Sequence, residues 1–322
     1  MKRAGMLILA AAVFLGIIGG TWRLWSAGSG AKKGYTFDLI IKGTSMEFWK
    51  RVNEGAQAAA STYHVSVTMY GPAVEKDYAQ QAGLVEDSIA RKPDAIILAA
   101  ADYRLLAKPV QDAIDAGIPV IMVDSDVDNS RTVAYVGTDN EKLGTMLARQ
   151  LCQRTDAFGE VGVVSFVKES YPAVQREKGF RDAIRSDKRF AVLDTVYAYS
   201  DVAKGELLTK ELIDQHPNLT AIAALNAWSS EGAARALSKL GNSRIRLFAI
   251  DCMPEEAMYM EEGVLSLALL QNPYQMGYYG IETACRYLKG ETVGNRYTDI
   301  YPVEVGTMFD DLYQQLIFPF DS

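Results

Sequence analysis

The feature that most constrains this chain is an alternation of strands and helices that runs through once and then begins again. Short apolar runs at 37–41, 65–69, 95–99, 119–123 and 134–137 read as strands. Helices fall at 45–63, where apolar residues recur at helical spacing, and at 73–90, 104–116 and 140–155. The strands are near-continuously apolar instead of alternating, as parallel strands covered on both faces must be. The series then restarts, with strands at 161–166, 191–198, 221–225, 247–250 and 266–270 and helices at 172–186, 202–216, 230–240 and 254–262. A long helix at 274–288 and a strand at 300–305 close it. Turn signals such as Lys92-Pro93-Asp94 and Gly117-Ile118-Pro119 separate the elements. The chain's 322 residues suit two domains. A restart, as opposed to one extended sheet, predicts an α/β fold of two doubly wound parallel-sheet lobes with a cleft between them.

Five polar residues stand where such a cleft collects its ligand. Asp124, Ser125, Asn226, Asp251 and Gln271 follow the ends of apolar runs, and open α/β sheets bind ligands outside the carboxyl ends of their strands. A capping role competes for some positions. Asp139 reads as the cap of the helix at 140–155, and Asp251 precedes the helix that begins at Pro254.

Composition narrows the chemistry. The net charge of −7 opposes a nucleic-acid partner. Three cysteines, Cys152, Cys252 and Cys285, stand far apart without a CxxC or a neighbouring histidine, and read as buried small hydrophobes. With only two histidines, His64 and His216, a histidine-based metal centre or triad is not expected. The acidic spacing over 124–128 begins like a calcium loop but lacks the downstream glycine and the bidentate glutamate. No GxGxxG or Walker phosphate cradle is present, so neither metal nor cofactor is expected.

The first residues have the form of an export signal. Lys2 and Arg3 precede the apolar stretch 6–20, followed by Trp22 and Trp25. No cysteine follows to take a lipid, and a small flexible linker occupies 26–34. Two outcomes stay open: cleavage after Ala27 or Ala31, or retention of residues 6–25 as a membrane anchor. Either way the folded part is expected to be extracytoplasmic, with 1–34 as signal and linker.

Taken in order, a longer set of residues carries a family resemblance. Phe48-Trp49 and Asn53-Glu54-Gly55-Ala56 follow the first strand, and Lys92-Pro93-Asp94 leads to Gly117-Ile118-Pro119 and Asp124-Ser125. Val136-Gly137-Thr138-Asp139-Asn140 and Arg176-Glu177-Lys178-Gly179-Phe180 come next. Asn226, Asp251 and Gln271-Asn272-Pro273-Tyr274 complete the set. From about residue 35 onward the chain resembles the type I periplasmic sugar-binding proteins, the ribose- and galactose-binding group. That resemblance implies a non-catalytic receptor whose lobes, joined by a three-strand hinge, close on one sugar or polyol. It implies lobe one at 35–138 with 272–300 and lobe two at 139–271 with 301–322. It also implies roles: Trp49 stacking on the sugar, Asp124 accepting hydroxyl hydrogen bonds, Arg176 reaching across the cleft, and Asn226, Asp251 and Gln271 binding from the second lobe.

The sequence departs from the ribose branch at Met46, at Ser125 in place of an arginine, and at Ala227-Trp228 in place of an acidic residue. Trp228 either covers the cleft or fills the core. The implied partner is a membrane protein, either an ABC permease or the outer part of a sensor histidine kinase. The anchor outcome favours the kinase, because a tethered receptor suits a fixed stoichiometric partner. An enzymatic alternative sets Asp124 and Asp251 as the two carboxylates of a glycoside hydrolase. A repressor effector domain would need a DNA-binding motif where the export-type segment stands.

Overall fold

In the computed structural model, which describes residues 34–129, 131–241 and 244–318, the apolar runs assemble into two six-stranded sheets. The first holds β1 (Thr36–Ile40), β2 (Ser66–Tyr70), β3 (Ala95–Leu98), β4 (Val120–Val123), β5 (Ala134–Gly137) and β11 (Arg296–Tyr297), ordered β11-β5-β4-β3-β1-β2. The second holds β6 (Gly159–Ser165), β7 (Phe190–Tyr197), β8 (Leu219–Ala224), β9 (Arg246–Ile250), β10 (Leu265–Leu270) and β12 (Tyr301–Val303), ordered β12-β10-β9-β8-β6-β7. Strands β3 and β4 are buried at every residue, as their unbroken apolar runs require.

Pairing is parallel throughout except for β12, which runs antiparallel to β10. The expectation of purely parallel sheets therefore has one exception, and its cause is local. The chain reaches β12 directly from β11 in the other sheet, so it enters at the strand-end side, where Tyr301 pairs with Leu270. No helix intervenes to bring it round to the parallel direction.

Ten helices cover the sheets: α1 (Glu47–Tyr63), α2 (Tyr78–Arg91), α3 (Ala107–Asp115), α4 (Asn140–Arg154), α5 (Tyr171–Ile184), α6 (Val202–Gln215), α7 (Ala227–Lys239), α8 (Pro254–Glu261), α9 (Pro273–Leu288) and α10 (Asp311–Ile317), counted among the described residues. Caps explain the shifted boundaries. Helix α2 starts at 78 instead of 73 because Asp77 Oδ1 accepts from Gln80 N at 3.0 Å. Helix α7 starts at 227 instead of 230 because Asn226 caps it. Asp139 caps α4 as expected, accepting from Lys142 N. Two elements escaped the sequence reading, the two-residue β11 and the seven-residue α10, both too short to show a period.

The chain passes between the sheets three times: from β5 to α4, from β10 to α9, and from β11 to β12. Two of these passages are bonded to each other, with Thr298 N donating to Gly137 O at 2.8 Å. The segment 1–33, which carries the export-type sequence, lies outside the described residues. Among the described residues no helix is long and apolar enough to cross a membrane.

Each sheet carries a helix pair locked at backbone contact through reciprocal glycines. At α1 and α9, a Cβ on Gly55 would lie 1.9 Å from the Tyr274 carbonyl oxygen, and one on Gly277 1.8 Å from that of Val52. At α4 and α5, a Cβ on Gly144 would lie 2.0 Å from the Arg176 carbonyl oxygen, and one on Gly179 2.0 Å from that of Glu141. Gly179 belongs to the Arg-x-x-Gly-Phe motif, so its place there is set by helix contact. Gly277→Ala is expected to force α9 off α1 and to cost about 1–3 kcal/mol in urea unfolding. Gly83→Ala, in α2 with open space around it, should instead stabilise by about 0.5–1 kcal/mol.

Candidate ligand-binding cleft

The strand ends of both sheets line one cavity of about 410 Å³. Lys42 and Asp124 reach it from the first sheet; Phe166, Asn226, Asp251 and Gln271 reach it from the second. Asp124 follows β4 and Asp251 follows β9, which hold the same place in the two sheet orders. Both carry left-handed backbone, with φ of 58° and 68°. Non-glycine residues are held in that region at a cost of order 1–3 kcal/mol, and such outliers gather at functional sites.

The Asp124 carboxylate is held by two donors on one oxygen. Lys42 Nζ and Ser125 Oγ both lie 2.8 Å from Oδ2, leaving Oδ1 without a partner among the described residues. Lys42 is 3% exposed, with Glu75 Oε1 at 3.6 Å and the Trp49 ring centroid at 5.8 Å from its ammonium. Sequence reasoning missed Lys42, although it directly follows the apolar run 37–41 and so obeys the rule that picked out the other five. Glu75 gave no signal, because it fell inside a stretch read as helix.

Ser125, expected among the ligand contacts, is fully buried behind Asp124 and lies outside the cavity lining. Its hydroxyl orients the carboxylate. Arg176 also departs from expectation. Its guanidinium donates to Asn140 Oδ1 at 2.8 Å, to Leu225 O at 2.9 Å and to Gln271 Oε1 at 2.9 Å. All three acceptors belong to the half built on the second sheet, so the side chain does not bridge the cleft. It packs instead 5.6 Å from the Phe166 ring centroid and fixes Gln271.

Gln271 passes that order on, with Nε2 donating to both Asp251 oxygens at 3.1 Å. Burial holds the Asp251 carboxyl above the usual carboxylate range; Arg176 and Gln271 oppose the shift and Asp124 adds to it. Asp251 is not a helix cap, since α8 begins after Met253. Asn226 serves twice: Oδ1 caps α7 by accepting from Ser229 N at 3.0 Å, while Nδ2 has no acceptor among the described residues. Trp228 lines the cavity half-buried, which settles its position in favour of the cleft. Trp49 lines it at 3% exposure with its indole Nε1 unpartnered. All three cysteines are free, and Cys152 is only half-buried, in contrast to Cys252 and Cys285.

The halves also touch across the cleft. Ser200 Oγ donates to Glu75 Oε2 at 2.7 Å, Tyr103 N donates to Glu169 O at 3.3 Å, and the Tyr103 and Tyr171 rings stack at 5.9 Å.

Two parallel-sheet halves meeting at a polar, aromatic-walled cavity define a bilobal solute-binding protein. Residues 37–292 match the family described as periplasmic binding protein domain, and the chain belongs to that family. It is 27% identical over 263 residues to a D-ribose/D-allose-binding protein of Pseudomonas aeruginosa, covering 79% of this chain and 82% of that one. It is 26% identical over 262 residues to the ribose import binding protein of Escherichia coli, covering 81% and 88%. Among solved structures, an ABC transporter solute binding protein from Agrobacterium vitis, bound with alpha-D-tagatopyranose, superposes with a TM-score of 0.85 at 26% identity, covering 88% of this chain and 99% of that one. A sugar transporter from Clostridium phytofermentans is 33% identical with a TM-score of 0.77, covering 84% and 99%. The family is one of binding proteins, so the chain is not an enzyme and the glycoside hydrolase alternative is set aside.

Two expectations test the electrostatics. Lys42→Met strands Asp124 in a buried site and should cost about 3–5 kcal/mol in urea unfolding, with Asp124→Asn in the same chain restoring part of the loss. A carboxyl raised in the folded state contributes stability that is present below its unfolded pKa and lost as pH rises through its folded value. Asp251→Asn should therefore gain on the wild type as pH rises above the usual carboxylate range, and a pH-independent difference would refute the assignment.

Proposed function

We propose that the chain is an extracytoplasmic receptor that binds a monosaccharide-like ligand in the interlobe cleft and closes on it. One observation carries the reading: strand ends from both sheets bring unpartnered polar groups and aromatic faces to one cavity. Sugars present hydroxyls at their edges and C–H surfaces on their faces. Asp124 Oδ1, the Asp251 carboxyl and Asn226 Nδ2 suit the hydroxyls, through hydrogen bonds worth about 1.5–3 kcal/mol where charge assists them. Trp49, Trp228 and Phe166 suit the faces. Arg176, Gln271, Lys42 and Ser125 hold these groups in place.

In this reading the halves move as lobes, 35–138 with 272–300 against 139–271 with 301–322, about the three passages of chain. Ligand shifts an open–closed equilibrium, and the Ser200–Glu75 and Tyr103–Glu169 bonds belong to the closed form. The names of the relatives, ribose import and ABC transporter proteins, favour an ABC permease as the membrane partner. Sensing through a histidine kinase ectodomain is the second reading, favoured by the segment 6–25, an apolar run at 6–20 flanked by Trp22 and Trp25, with no cysteine directly after it.

Thermal unfolding of residues 35–322 against pentoses, hexoses and polyols tests the ligand. A sugar at a hundredfold its Kd should add about 2.7 kcal/mol of stability, and Asp124→Asn should weaken its binding tenfold or more. A folded sample that responds to none of them would overturn the sugar reading. Cross-linking of the closed form in cells then separates the partners, since capture of a permease assigns transport and capture of a kinase assigns sensing.

A further inference from the structure

The main cavity has an annex. A second cavity of about 210 Å³ shares Ser45, Met46, Glu75 and Trp228 with the first, so the two adjoin. Resting on the sugar-receptor reading, we infer that the ligand is a substituted sugar. Its ring sits against Asp124 and Asp251, and a flat substituent in glycosidic linkage extends past Met46 and Trp228 into the annex.

Three observations converge on this. The main cavity alone, at about 410 Å³, falls in the ~300–1,000 Å³ range that encloses drug-sized ligands, and a single sugar ring is roughly half such a ligand. The ring satisfies the polar groups at the strand ends and leaves space towards the annex. The backbone is strained at the annex wall: Tyr199 and Ser200 are consecutive non-glycine residues in the left-handed region, with φ of 54° and 55°. That strain sets an aromatic ring and a hydroxyl at the annex. Tyr199 is 39% exposed and takes no part in the core, with Lys204 Nζ 4.4 Å from its ring centroid. Finally, the annex repeats the chemistry of the deep site on a smaller scale. It pairs aromatic faces, Tyr199 and Trp228, with Glu75 and Ser200, whose side chains bond each other, Ser200 Oγ donating to Glu75 Oε2. A second sugar ring and an aromatic aglycone both match that wall by the same flat-face contact.

Isothermal titration on the full chain distinguishes the possibilities, using D-ribose, D-allose, D-galactose and D-glucose, their phenyl glycosides, and disaccharides containing them. The expected result is a substituted sugar that binds at least tenfold more tightly than its parent. Tyr199→Ala should remove that advantage while leaving the parent's affinity within twofold, which also shows that the variant is folded; Tyr199→Phe should keep it. A gain confined to disaccharides assigns a second sugar ring, and one confined to phenyl glycosides assigns an aglycone. A parent sugar that binds while every substituted form binds equally or more weakly overturns the inference and leaves the receptor standing. An advantage that survives Tyr199→Ala overturns the annex assignment. Failure of every compound overturns the sugar reading itself.

Discussion

A single chain of hydrogen bonds ties the Asp251 carboxylate to the backbone of Asp124 without leaving the protein. Asp251 accepts from Gln271, whose Oε1 accepts from Arg176. Arg176 Nε donates to Asn140 Oδ1, Asn140 Nδ2 lies 3.2 Å from the Tyr135 hydroxyl, and that hydroxyl donates to the Asp124 backbone carbonyl at 2.8 Å. Tyr135 ends the first-sheet part of the path and Asn140 opens α4, so the chain of bonds runs through one of the passages between the sheets. Buried polar groups left unpaired are costly, whereas a satisfied network fixes side chains in one geometry. Arg176 is therefore committed to order within its own half, and the network leaves Asp124 Oδ1 and Asn226 Nδ2 free at the cavity.

Charge is handled by the same logic. Asp124 is buried beside Lys42, and an ion pair out of water holds only if each partner is well satisfied. Lys42 and Ser125 both bind the same oxygen, which orients the other one. Asp251 has no cation in direct contact and is held by an amide, so burial raises its pKa. Two carboxylates at equivalent strand ends thus present different chemistry to one cavity.

The equivalence extends to the framework. Each half packs a helix pair at backbone contact through reciprocal glycines, Gly55 with Gly277 and Gly144 with Gly179. The second pair sets the height of Arg176 over the strand ends, because the Gly144 contact is with the carbonyl of Arg176 itself. Packing at that distance leaves little slack, so the position of the site follows from a steric constraint several residues away from it.

Much of this was legible in the sequence. Unbroken apolar runs specified parallel strands, the restart specified two sheets, and Asp124, Asn226, Asp251 and Gln271 stood where strand ends put them. These are local properties, since period and burial repeat along the chain itself. What stayed hidden depends on neighbours distant in sequence. The direction of β12 is set by where the chain crosses between sheets. The inward commitment of Arg176 requires Asn140 and Gln271, 36 and 95 residues away. Glu75 takes its place because Lys42 and Ser200 arrive beside it, and Ser125 is spent on the Asp124 oxygen that Lys42 also binds. Sequence determined which elements form and which polar residues end them; tertiary structure decided which of those residues keep free polar atoms at the cavity, because hydrogen bonds between remote segments consume some donors and leave others free.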